Sequence, residues 1–142
     1  MSVDQLFYSA AGALAQAGLS RTKLANARLR LFKQGITPSW QTTLAELQAE
    51  QCDFDGYTAG GIDTGTWSAP TYGPGQSAVI NAGLVTFVCT AGPGGNGNVV
   101  GGFYLVTTDD ILWLVGQFAD GFPMQVAGQG LPVALALAFG TG

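Results

Sequence analysis

Histidine is absent from all 142 residues, so the acids are the chain's only candidates for acid–base work near neutral pH. Without an imidazole there is no Ser-His-Asp or Cys-His nucleophilic scheme, and the commonest metal ligand is missing. Asp53 and Asp55 stand two apart in Asp53-Phe54-Asp55-Gly56-Tyr57. Glycoside hydrolysis needs two carboxyls straddling a bond, about 5–9 Å apart, with one in an apolar pocket. Two acids in one turn meet that only by accident, and turn acids ordinarily accept backbone N–H bonds. Asp109 and Asp110 offer too few oxygens for Ca²⁺, which takes about six to eight; with Thr108 they read as a tight hairpin turn. Cys52 and Cys89 have no CxxC spacing and no neighbouring ligands, which argues against a metal site and leaves two buried free thiols or a single disulfide. Residues 92–98, Gly92-Pro93-Gly94-Gly95-Asn96-Gly97-Asn98, lack the Lys-Ser/Thr of a phosphate loop. They read as a flexible loop tip that a partner could touch. The chain is expected to be no enzyme, with no catalytic residue, no cofactor and no metal ligand.

Binding chemistry is better supplied. All five basic residues, Arg21, Lys23, Arg28, Arg30 and Lys33, fall within one short stretch, and only Asp4 among the nine acids precedes them. Everything after Lys33 is acidic or neutral. This split suggests a basic arm beside an acidic body. Nucleic acid is not the expected partner, because the body would repel a polyanion and no aromatic stacking platform accompanies the basic stretch. An acidic protein surface fits better. Trp40, Trp67 and Trp113 could line a sugar-binding face, although tryptophan serves more often in cores and interfaces. Hydrophobic residues make up 47% of the chain and charged residues 10%, against about 25% charged in ordinary soluble domains. So few charges cannot cover the surface, and a partner or further copies of the chain are expected to cover part of it. No run reaches the roughly 18 apolar residues of a membrane helix, so no membrane partner is expected.

The elements that would hold these residues follow from periodicity and end signals. Ser2 and Gln5 make a capping-box pattern. Val3, Leu6, Phe7, Ala10, Ala11, Leu14 and Ala17 keep helical spacing, which predicts a helix over 2–19 ended by Gly18. Residues 20–26 read as a linker. In 27–33, Ala27, Leu29 and Leu31 alternate with Arg28, Arg30 and Phe32, a half-buried strand with its basic face outward. Thr43 and Glu46 form a second capping box before a short helix carrying Leu44 and Leu47. Further strands are expected at 66–68, 76–81, 84–90, 99–107, 111–118, 122–126 and 131–139. The last has Leu131, Val133, Leu135, Leu137 and Phe139 on one face and small residues on the other. Short strands and glycine-rich turns predict an all-β fold, a jelly-roll-like β-sandwich of about eight strands with an N-terminal helix and one short helix. Residues 1–26 would be a helical, basic arm and 27–142 the sandwich.

The stretch Ala27-Arg28-Leu29-Arg30-Leu31-Phe32-Lys33-Gln34-Gly35-Ile36-Thr37-Pro38 resembles the opening of small structural proteins of tailed phages, where a basic-apolar strand leads into a Thr-Pro turn. A Leu-Ala-Glu-Leu stretch at 44–47 and Phe54-Asp55-Gly56-Tyr57 follow in the same order. Gly102-Phe103-Tyr104-Leu105-Val106-Thr107 with Leu112-Trp113 is similar to their Gly-Tyr-Tyr-Val-Thr…Leu-Trp hairpin. The resemblance runs from Ala27 to the C-terminus and departs at the longer helical N-terminus. It implies a virion protein on the capsid exterior, a cement or decoration protein that binds the major capsid protein and stabilises the shell by bridging capsomers as a trimer or dimer. Leu6, Phe7, Leu14, Arg21, Lys23, Arg28 and Arg30 are then the expected docking residues. The alternative is a receptor- or glycan-binding module of a phage spike or tail fibre.

Overall fold

A computed structural model describes residues 8–140. The chain is mainly β, with open antiparallel sheets and two helices among the described residues.

Helix α1 spans Ala10–Leu24. Ser9 caps it, its hydroxyl accepting from the Gly12 N–H at 3.0 Å; the cap expected at Ser2 lies outside the described residues. The helix does not stop at Gly18, and most of the expected linker is helical. Ala13, Ala17, Ser20 and Leu24 are buried at spacings of four, three and four, so one stripe continues a further turn and a half. Arg21 and Lys23 suit the negative end of the helix dipole. Asn26, with φ 59°, supplies the left-handed turn that ends it. The small residues on the stripe let α1 lie close on β4 (Ser77–Asn81) and β9 (Ala136–Gly140). Ala13, Ala17 and Leu24 thereby belong to the same core as the strands.

Among the described residues the strands form three sheets. The largest has the order β2-β1-β6-β7, with β1 at Arg28–Lys33, β2 at Ile62–Asp63, β6 at Asn98–Val106 and β7 at Leu112–Met124. The second places β4 between β3 (Thr71–Gly73) and β9, and the third pairs β5 (Val85–Val88) with β8 (Gly130–Val133). The two strands expected at 111–118 and 122–126 are one continuous strand, β7. The single strand expected at 131–139 is two: β8 pairs with β5, and after Ala134 and Leu135 the chain crosses to pair with β4. Apolar alternation runs unbroken through the crossing, so periodicity could not reveal it. Residues 66–68 form no strand. Trp67 is instead fully buried, its indole N–H donating to Thr64 Oγ1 at 3.2 Å. The short strands β2 and β3 carry no periodic signal.

The largest sheet is covered on both faces. Leu29, Leu31 and Leu105 face the main core with Trp67, Ile80 and Phe87. The opposite face carries a smaller cluster, Phe32, Tyr104 and Val106, under Leu47 of helix α2 (Leu44–Ala49). The basic face of β1 is therefore outward only in part: Arg28 is exposed, Arg30 half-buried and Phe32 fully buried.

Candidate functional site

The acids singled out for chemistry serve as staples. Asp53 Oδ1 accepts from Asn98 Nδ2 at 3.0 Å, and Asn98 Oδ1 accepts from the Asp53 N–H at 2.8 Å. Asn96 Nδ2 donates to the Asp53 carbonyl, and the Asn96 N–H donates to Asp55 Oδ2. Together they tie the glycine-rich loop to the 53–55 turn. The Asn98 amide, helped by Lys33 at 3.5 Å, holds the Asp53 carboxyl below its ordinary pKa. Asp109 is lowered by Lys23 and by the Thr107 hydroxyl. Cys52 and Cys89 are free and buried, and burial pushes the Cys52 thiol up to about 12, so it is not a nucleophile at neutral pH. No group of three or more potential metal ligands occurs among the described residues.

The expected docking residues are placed as follows. Leu6 and Phe7 lie outside the described residues. Leu14 is half-buried against the main core. Arg21 Nε donates to the Trp67 carbonyl at 2.7 Å, and Lys23 pairs with Asp109. Arg28 and Arg30 reach the neighbouring carbonyls of Gly61 and Gly60, at 3.2 and 2.9 Å. The Arg30 guanidinium also sits 6.0 Å from the centre of the Tyr104 ring. Lys33 meets Asp53. Each of the five cations thus has a partner within its own chain, and they are not gathered into a single free basic face.

A different surface stands out. A groove of about 750 Å³ runs between β7 and the 38–44 segment, lined among others by Pro38, Trp40, Leu44, Leu112, Val115 and Gln117. No charged side chain lines it. Trp40 is 97% exposed, although burying a tryptophan removes about 150–250 Å² from water. Local bonds hold it there. The Ser39 N–H donates to Thr42 Oγ1 at 2.8 Å, the Thr42 N–H to the Ser39 carbonyl at 3.1 Å, and the Gln41 N–H to Ser39 Oγ at 3.2 Å. Trp40 sits within this turn, and Thr43 directly caps α2, its Oγ1 accepting from the Glu46 N–H at 3.3 Å. The turn is therefore anchored to a helix that is itself packed on the sheet.

The three tryptophans consequently have different fates: Trp67 is core, Trp113 half-buried, Trp40 almost bare. Composition alone did not separate them. The local signal was the Pro38-Ser39-Trp40-Gln41-Thr42 string, whose Pro and hydroxyl residues mark a turn. No protein-family model, curated protein or solved structure matches the chain.

Proposed function

We propose that this chain is a non-enzymatic structural protein that works by docking on a protein surface, specifically a cement or decoration protein on the exterior of a tailed-phage capsid. The observation that carries the docking reading is Trp40, carried on a hydrogen-bonded turn and almost fully in water beside an uncharged groove and an open strand edge. Support for the virion comes from the motif resemblance over 27–142. A jelly-roll-like sandwich is the finer description of the fold that goes with this reading. The partner would be the major capsid protein, with homo-oligomers bridging capsomers. Apolar contact contributes about 25 cal/mol per Å², linked copies gain avidity, and bound copies stabilise the shell by mass action.

The docking face differs from the one the sequence suggested. Arg21, Lys23, Arg28 and Arg30 each make a bond within the chain, whereas Trp40 is almost fully in water. Leu6 and Phe7 remain part of the proposal. The test is co-sedimentation with empty shells of the cognate major capsid protein. Saturable binding with a raised shell melting temperature is expected, reduced by Trp40→Ala and by removal of residues 1–7. Removal of residues 1–26 is unsuitable, because Ala13, Ala17 and Leu24 are core. Absence of shell binding by the intact chain overturns the reading.

A receptor or glycan module is the second reading, favoured by one observation: Ser39, Thr42 and Gln117 bring hydrogen-bonding groups around Trp40 in a concave setting. Oligosaccharide binding lost in Trp40→Ala, without shell binding, would establish it in place of the first.

A further inference from the structure

We infer that two copies of this chain pair edge to edge through β7, antiparallel about a two-fold axis near Val115, with Trp40 of each copy closing over the joint. This uses the same Trp40 surface as the docking reading, so pairing and shell binding compete for it, and an experiment on the chain without shells reads pairing alone.

Strand β7 is an outer strand of its sheet, with β6 as its one sheet neighbour among the described residues. An open strand edge presents unpaired N–H and C=O groups and is a template for another strand. The pairing with β6 divides β7 into parts. Residues 114–117 run in regular register against 105–102. On one side Trp113 is an extra residue, and on the other residues 118–121 stand against Gly101 alone. Bulges of this kind disrupt the ladder, and Pro123 removes a donor further along. The regular edge available for pairing is therefore short and sharply bounded, and it coincides with the groove wall beneath Trp40.

Three features select a second copy as the occupant. The first is symmetry. An antiparallel strand paired with itself satisfies a two-fold axis, so one patch serves both sides. The second is charge. Each copy carries a net charge of −4, and two copies repel wherever their acids meet. Segments 38–44 and 112–117 contain no Asp, Glu, Lys or Arg, so this surface lets like-charged bodies approach while offering a charged partner nothing to pair with. The third is area. Two tryptophans supply about 150–250 Å² each, a third or so of the roughly 1,200 Å² at which specific interfaces begin, and symmetry doubles every other contact at the joint.

The experiment is sedimentation equilibrium over a concentration series from low micromolar to millimolar, with tryptophan emission followed in parallel. The expected result is a monomer–dimer equilibrium in which emission shifts to the blue as dimer forms, because Trp40 alone among the three tryptophans is bare in one copy. Val115→Lys and Trp40→Ser should each weaken association by about tenfold or more, with unchanged far-UV circular dichroism, since both positions are exposed. Mixing Val115→Lys with Val115→Glu should restore a dimer that neither forms alone, because the two-fold axis brings position 115 close to its own copy. A monomer at millimolar concentration overturns the proposal and leaves the groove to a different partner. So does a trimer, which edge pairing about a two-fold cannot build, or a dimer indifferent to Val115→Lys and Trp40→Ser.

Discussion

Phe32 and Gly102 are paired across β1 and β6, and the phenyl ring occupies the space a side chain at 102 would need. A Cβ there would lie 2.5 Å from Phe32 Cζ, 2.7 Å from Cε1 and against the Gly116 carbonyl. Gly116, on β7, plays the same part on the opposite face, where a Cβ would run into the Phe103 ring. Two glycines on adjacent strands thus admit one aromatic ring on each side of the sheet: Phe32 toward the cluster under α2, Phe103 toward the main core.

Gly102→Ala is therefore expected to destabilise the chain by about 1–3 kcal/mol, the usual range for overpacking a filled core. Gly83→Ala is the control, because nothing lies within 4 Å of a Cβ at that position. Urea unfolding of the two variants separates them: Gly102→Ala should unfold at clearly lower urea than the parent, and Gly83→Ala close to it. Equal midpoints would show that Phe32 can yield without cost.

Thr43→Ala is expected to cost about 1 kcal/mol, the typical value of a lost N-cap. Thr43 Oγ1 also donates to Glu46 Oε1 at 3.2 Å, which helps orient the reciprocal side chain. Leu47 of the same helix covers Phe32 and Tyr104, so the cap supports the second core as well as the base of the Trp40 turn. A melting temperature lowered by a few degrees is the readout. Glu46→Ala should give a smaller drop, since the Thr43-to-backbone bond survives it.

Local rules were the legible ones. The α2 cap was readable because Thr43 and Glu46 are three residues apart and act on each other, and β1 because its alternation spans a single strand. What failed depended on distant partners. The apolar alternation from Leu131 to Phe139 is the same whether the strand keeps one neighbour or exchanges β5 for β4 at Leu135. Gly18 permits a helix end and so predicts one, yet the buried stripe through Leu24 outweighs it. The candidate site was least legible of all. Arg30 meets Gly60, Arg28 meets Gly61, Arg21 meets Trp67 and Lys23 meets Asp109, and no local pattern announces a carbonyl or carboxylate so far along the chain. Trp40 and Trp67 are one residue type with opposite burial, which the bonds between Ser39 and Thr42 decide on one side and the long-range core on the other.

Alkaline pH should destabilise the chain. Burial pushes both the Cys52 thiol and the Tyr57 phenol up to about 12, from ordinary values of 9.0 and 10.0. The bonds Tyr57 accepts, from Gln51 Nε2 at 2.8 Å and from the Leu31 N–H at 3.2 Å, act the other way and offset burial only in part. The native state keeps both groups protonated where the unfolded chain would release the proton. The stabilisation is therefore complete below pH 9 and is lost progressively as pH rises from 9 toward 12. Denaturant midpoints measured from pH 7 to 11 should be flat to about pH 9 and then fall, and Cys52→Ala should delay the onset of that fall. A thiol reagent at pH 8 should leave Cys52 unlabelled in the folded protein and label it in denaturant.

The basic stretch offers the sharpest separation of structure from docking. Free cations that steer an acidic partner make association strongly salt-dependent, because exposed charges are screened beyond about 10 Å at 0.1 M salt. Here Arg30 is half-buried over Tyr104 and bonded to Gly60, so its removal acts on the fold. Arg30→Ala is expected to lower stability by about 1 kcal/mol, the net worth of a typical hydrogen bond, and to expose the Gly60-Gly61 segment to limited proteolysis. Self-association and shell binding should be little changed, provided measurements are made below the variant's melting temperature. Self-association should also strengthen or hold steady as salt is raised, because the contact through Trp40 and Val115 is apolar and two bodies of charge −4 repel at low salt. Steep weakening with salt, shared by Arg28→Ala and Arg30→Ala at unchanged stability, would instead return the docking role to the arginines and take it from the groove.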